Sequence, residues 1–120
     1  MDMTALVNKV KQHPDFSGAG MVLCHNGVVR GTTAEGDQQV TGLTVRVDQG
    51  QLRAVIARHQ QLPGIIDIQV EIAEDRQLQV GDDIMLVVVA GDVRTHVIPA
   101  MTSLIDAIKA EVTSKTQVYV

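Results

Sequence analysis

Four basic side chains are the residues of this sequence best suited to chemistry: Arg30, Arg94, Lys109 and Lys115. Arg30 follows Val28-Val29 and opens a polar stretch, so it stands where an apolar strand gives way to a loop. Arg94 stands between the most apolar run of the chain and a long helical pattern. An arginine beside a helix N-terminus makes a natural anion site, because backbone amide donors and guanidinium act together. The plain alternative is that both arginines simply cover surface. Lys109 and Lys115 fall near the end of the same helical pattern, where a cation favours the helix dipole without any further role. A lysine with a depressed pKa can instead serve as acid, base or covalent nucleophile.

The other reactive side chains form no recognisable set. His13, His25, His59 and His96 fall on different elements, with no i, i+4 pair and no zinc-type spacing, so solvated or capping roles are expected and no metal site. Cys24 ends the apolar run Met21-Val22-Leu23-Cys24, where a buried thiol is expected to be inert filler. Neighbours in a strand point to opposite faces, so Cys24 and His25 cannot form a nucleophile–base pair. A P-loop, a dinucleotide fingerprint and a Gly-x-Ser-x-Gly elbow are all absent, and no cofactor is implied. Gly27, Gly31 and Gly36 lack phosphate-loop spacing and read as a hairpin turn and a flexible loop. No complete catalytic motif is present.

These residues need a frame, and the hydrophobic pattern supplies one. Asp2 or Thr4 caps a short helix to about Gln12, ended by His13-Pro14. The stretch from Gly18 to Asn26 holds a buried strand, Asn26-Gly27 reads as a turn, and Val28-Val29-Arg30 resumes extended structure. Residues 31–39 carry no apolar period and read as a loop and a candidate for mobility. Leu43, Val45 and Val47 alternate as a half-buried strand, and Gln49 to Gln61 is an amphipathic helix stopped by Pro63-Gly64. Ile66, Ile68, Val70 and Ile72 alternate as a further strand. Ile84 to Val89, apolar on both faces, reads as the central strand of the sheet. Residues 91–95 connect it to the longest helix, defined by Met101, Leu104, Ile105, Ile108 and Val112 and ending near Thr113. The tail from Gln117 to Val120 adds a last short strand. The expectation is an α+β fold, with residues 1–120 as one sheet domain.

Composition narrows the function classes. At 120 residues with 45% hydrophobic side chains, the chain can bury a core without disulfide or metal support. Phe16 and Tyr119 are the only aromatics, so the core is aliphatic and stacking platforms for single-stranded nucleic acid are missing. A formal charge of −4 opposes nucleic-acid and anionic-membrane partners. The apolar runs are too short to span a bilayer, no leader pattern opens the chain, and the single cysteine suits a reducing compartment. A cytoplasmic setting is expected.

Three segments, in this order and spacing, resemble one known family. Gly27-Val28-Val29-Arg30, then Gly36-Asp37, then Leu43-Thr44-Val45 is similar to the strand–loop–strand opening of the large, catalytic subunit of molybdopterin synthase. Leu78-Gln79-Val80-Gly81-Asp82-Asp83-Ile84 is similar to that family's turn into its central strand, and Arg94 to Lys109 to its main helix. The resemblance spans roughly residues 18 to 116. It implies an α/β hammerhead-type fold, with a mixed or antiparallel sheet and flanking helices, and a homodimer. It further implies a small ubiquitin-like sulfur-carrier partner whose C-terminal Gly-Gly thiocarboxylate delivers sulfur to cyclic pyranopterin monophosphate. Arg30 and Arg94 fall on family arginine positions and are expected to bind substrate. Lys109 and Lys115 are the candidate catalytic lysines.

The sequence also departs from the family pattern. Thr32 and Val93 stand at family histidine positions, and Ala73-Glu74 replaces a His-Arg pair. The aromatic-Lys signature after the main helix becomes Ser114-Lys115-Thr116, with Thr116 at the lysine position and Lys115 one place early. The helix before the third strand is shorter and lacks an aromatic-Pro entry, and the given sequence stops before a later basic segment. Two functions are therefore weighed: a divergent sulfurtransferase, and a catalytically inactive paralogue acting as a dimeric binding module. Losing several cations weakens phosphate binding, each charge-assisted hydrogen bond being worth roughly 1.5–3 kcal/mol.

Overall fold

The computed structural model describes all 120 residues. Its centre is the run that is apolar on both faces, which becomes β5 (Asp83–Gly91) and is buried from Met85 onward. β5 lies between β1 (Met21–Val28) and β3 (Ile65–Ile72), antiparallel to both. Its alternate side chains serve two cores. Met85, Val87 and Val89 pack with Leu52 and Val55 of α2 (Gln49–Gln60) and Val97, Met101, Leu104 and Ile108 of α3 (Arg94–Glu111). Leu86, Val88 and Ala90 face Leu6 and Val10 of α1 (Met3–Lys11) on the other side.

Capping sets where the first two helices begin. The Asp2 carboxylate accepts from Thr4 N at 2.9 Å and Ala5 N at 3.3 Å, and the Asp48 carboxylate accepts from Gln51 N at 3.0 Å. Such caps satisfy amide donors that have no carbonyl partner inside the helix. α3 starts at Arg94, earlier than the apolar period from Met101 suggests, and it accommodates Pro99 within its length. Proline there removes only one backbone donor near the helix start, where few such bonds are lost. No helix is long and apolar enough to cross a membrane.

The single sheet expected from the sequence is instead two. A second sheet holds β2 (Val40–Val47) between β4 (Leu78–Gln79) and β6 (Thr113–Tyr119), again all antiparallel. Its inner face packs Leu43, Val45 and Leu78 with Val29 and Ala73. A backbone bond from Asp75 N to Val45 O at 2.8 Å ties the segment after β3 to the second sheet. Ala73 N to Ile84 O and Val29 N to Asp82 O, both at 2.9 Å, carry the first sheet's pairing past the ends of β3 and β1. The result is elongated, 48 × 25 × 24 Å.

Four local expectations are corrected. Asn26-Gly27 is not a turn, because pairing with Leu86 and Met85 carries β1 straight through it, and the irregularity falls between Gly27 and Val28. Cys24 is exposed rather than buried, on the edge strand of its sheet. The last strand starts at Thr113, four residues before Gln117, since it pairs with β2 along nearly its whole length. Lys115 consequently belongs to that strand and not to the end of α3. Residues 31–39 are a loop as expected, tied internally by Thr33 Oγ1 donating to Asp37 Oδ1 at 2.6 Å and a bridge between Thr32 and Gln39.

Candidate functional site

Three elements from different parts of the chain end at one place, the junction of the two sheets. β1 delivers His25, Gly27 and Val28, and Arg30 follows directly after Val29 has been drawn into the second core. The last turn of α3 delivers Lys109. The chain reverses at Val112, and β6 pairs Lys115 with Val45 of β2. Val45 is fully buried, so the ladder fixes the backbone beneath the lysine. Together these residues line a cavity of about 170 Å³, floored by Ile72, Ile84, Met85 and Ile108.

The charge in this cavity is of one sign. Arg30, Lys109 and Lys115 line it, and no Asp or Glu does. Lys115 is exposed along much of its length, yet its ammonium loses hydration against the cavity walls. That burial, with the Lys109 and Arg30 charges beside it, lowers its pKa below the ordinary lysine value. His25 is lowered too, first by burial and then by the Lys109 charge. A cluster of cations on an apolar floor, without a counter-carboxylate, is an arrangement that gains from an anion. A second cavity of about 360 Å³ adjoins it and shares Val28, Arg30, Ile84 and Lys115, with Thr32 and Ala34 of the loop on its far wall.

The four candidate residues are thus divided by the fold. Arg30, Lys109 and Lys115 meet, whereas Arg94 does not. Arg94 is exposed at the first position of α3, and the fifteen residues to Lys109 span roughly 22 Å along a helix. Lys115 lines the cavity while its neighbour Thr116 does not, as the strand alternation requires. Among the other departures, Ala73 is buried in the second core, Glu74 accepts from Gln49 Nε2 at 2.8 Å, and Val93 precedes α3 without a side-chain cap.

His25 is the residue that sequence reasoning missed. Met21, Leu23, His25 and Gly27 alternate along β1, and the first two pack against the core under α3. The period-two pattern therefore carried the signal that His25 shares their face. The remaining histidines lie elsewhere. His13 Nδ1 accepts from Asp15 N at 3.0 Å, and His96 pairs with Asp92 at 2.8 Å. His59 is buried, donating from Nδ1 to Val55 O at 2.7 Å, which leaves Nε2 to accept from the Ser103 hydroxyl at 2.8 Å. No group of three His, Cys, Asp or Glu side chains comes close enough to hold a metal ion.

The family model for the MoaE protein matches residues 1–111. The chain belongs to the MoaE family. Arg30 and Lys109 lie inside the matched stretch, and Lys115 lies just beyond it. Among solved structures, a MoaE protein of molybdopterin biosynthesis from Burkholderia ambifaria is similar at TM-score 0.76 and 20% identity, covering 100% of this chain and 82% of that one. Molybdopterin synthase from Staphylococcus aureus is similar at TM-score 0.72 and 21% identity, covering 86% and 77%. A complex of subunits 1 and 2 of molybdopterin-converting factor from Helicobacter pylori is similar at TM-score 0.72 and 15% identity, covering 99% and 84%. At these identities the likeness speaks for the MoaE fold. No curated protein matches the chain.

Proposed function

We propose that this chain, acting as one domain, is the large subunit of a molybdopterin synthase. In this reading it moves sulfur from a thiocarboxylated carrier to cyclic pyranopterin monophosphate. Membership of the MoaE family carries the role in molybdenum cofactor biosynthesis. The observation that supports the chemistry is the meeting of Arg30, Lys109 and Lys115 on a carboxylate-free cavity. Arg30 is assigned to the substrate phosphate, where a guanidinium offers paired donors. Lys115, its pKa lowered by burial and then by the Lys109 and Arg30 charges, is assigned to the reacting sulfur and carbon centres.

The partner is assigned as a small subunit, in line with the two-subunit Helicobacter pylori complex, and its Gly-Gly end is what the family resemblance implies. Its tail is assigned to the adjoining cavity, which opens onto Lys115. Arg94 enters the proposal only through a homodimer, since within one chain it stands at the far end of α3 from Lys109. A cytoplasmic setting follows from the same reading. A dimeric binding module without turnover is favoured by Thr32, Ala73, Glu74, Val93 and Thr116, which offer no cation where the family pattern has one.

One reconstitution separates the two. The chain is mixed with thiocarboxylated carrier and cyclic pyranopterin monophosphate, and molybdopterin formation is followed. Product is expected. Absence of product where an authentic large subunit turns over sinks the enzyme reading and leaves the binding module. Arg94→Ala chains mixed with Arg30→Ala chains are expected to recover part of the activity that each lacks alone, and no recovery removes Arg94 from the site.

A further inference from the structure

His25 is assigned no role by the family resemblance or by the proposed transfer, yet it occupies the wall of the same cavity. It lies on the face of β1 turned toward α3, and its ring leans along the strand toward Gly27. The ring's Nε2 fills the space over Gly27, 3.5 Å from where a side-chain carbon at that position would stand. The groups facing it can be named from each element. Lys109 comes from α3, Lys115 from β6 and Arg30 from the segment after β1. β2, β3 and β5 contribute only the apolar Val45, Ile72, Ile84 and Met85. No carboxylate lines the cavity, so nothing in its own lining favours a charged imidazole.

We propose that His25 is a fourth ligand-contacting residue of this cavity, and that its imidazole takes up one proton from solvent when a tetrahedral oxyanion enters. Placed among the cations, the anion offsets the Lys109 charge that, after burial, lowers the ring's pKa. The ring then becomes an additional N–H donor to it. Nothing covalent is involved: one solvent proton moves onto one ring nitrogen. The ligand class is a phosphate ester or its sulfate analogue. A tetrahedral dianion suits cations that arrive from three elements better than a planar carboxylate does. The inference deepens the sulfurtransferase reading and rests on it only for which phosphate is the natural occupant.

The test uses the full chain and inorganic sulfate, which stays doubly charged over the range needed. Calorimetric titrations in buffers of different ionisation enthalpy count the protons exchanged on binding. Wild-type protein is expected to take up a substantial fraction of one proton, and to bind sulfate several-fold more tightly at about pH 6 than at about pH 8, where an imidazole titrates. His25→Asn is expected to bind sulfate more weakly, without proton uptake and without that pH dependence, whereas Lys115→Met is expected to lose most of the binding. Should His25→Asn not fold, the ring resonances of His25 in wild-type protein decide: their titration midpoint must rise when sulfate saturates.

Sulfate that binds without proton uptake, uptake that survives His25→Asn, or no sulfate binding at all overturns the proposal. A peptide ending in a Gly-Gly carboxylate, run beside sulfate, separates the two anions of the reaction. Proton uptake with the peptide alone overturns the phosphate assignment. No carrier or pterin is needed for these measurements. A chain that binds sulfate in this way but makes no molybdopterin loses the enzyme reading and keeps this one.

Discussion

The two ends of α3 treat a histidine in opposite ways. Before the helix N-terminus, Asp92 accepts from its own neighbour Val93 N at 2.6 Å and pairs with His96 at 2.8 Å, and Gly64 passes directly against both side chains. There the acid has a partner, and the His96 hydrogen bond is the first cause of a carboxyl pKa below the usual value. At the C-terminal end, His25 meets only cations and apolar walls, and its pKa is lowered. One end is closed and balanced within the chain. The other carries charge with no counterpart, and that marks it as the end built for something from outside.

The comparison breaks most visibly through activity. Lys115→Met is expected to lower molybdopterin formation by about 100-fold or more, the scale of removing a charge-stabilising group from a site. It is expected to leave folding stability unchanged or slightly higher, because repulsion from Lys109 and Arg30 goes with it. A matching loss of stability in urea unfolding would show Lys115 to be structural. At the balanced end the order reverses. Gly64 has φ +77°, and a methyl group there overlaps Asp92 Oδ1 and His96 Nδ1. Gly64→Ala is expected to cost roughly 2–3 kcal/mol in urea unfolding. Sulfate binding at the cation cavity should persist.

Acid sharpens the contrast further. His25 has a lowered folded pKa, so below about pH 6.5 the unfolded chain binds more protons at this group than the native one. Stability therefore falls as pH drops below that value, and His25→Asn should flatten this limb. Asp92, also lowered, acts only further down: its contribution is present above the ordinary carboxyl value of 3.8 and is lost as pH falls through the folded value. Asp92→Asn should change the strongly acid limb and leave the region near pH 6 alone. If both variants alter the same region of the stability profile, the two ends are not independent. The smallest effect belongs to the exposed Arg58–Glu111 pair at 2.9 Å, on neither side of the contrast. Arg58→Ala is expected to cost about 0.5 kcal/mol or less.

Where the sequence was legible, burial imposed a period. Ile66 to Ile72 and Ile84 to Val89 declared β3 and β5 because one or both faces meet a core, and Leu52, Val55 and His59 declared α2 in the same way. β6 was mostly hidden. Its segment Thr113-Ser-Lys-Thr-Gln has no apolar alternation, since an edge strand is held by its backbone ladder to β2. The Asn26-Gly27 turn failed for a related reason, as pairing with β5 outweighed a local preference. The candidate cations were visible one by one. Their meeting was not, because it depends on two sheets joining where the sequence suggested one.

The corner between α3 and β6 has a consequence of its own. Glu111 ends the helix and Thr113 starts the strand, with Val112 alone between them and its carbonyl accepting from Asp48 N at 2.9 Å. There is no slack in that corner. Gaining or losing a single residue there cannot disappear into a loop, and the strand must advance or retreat against β2 by one position. Because successive strand residues face opposite ways, such a step turns one neighbour of Lys115 into the cavity and Lys115 out of it. In this chain the length of a one-residue hinge, as much as the identity of any side chain, selects which residue meets the ligand.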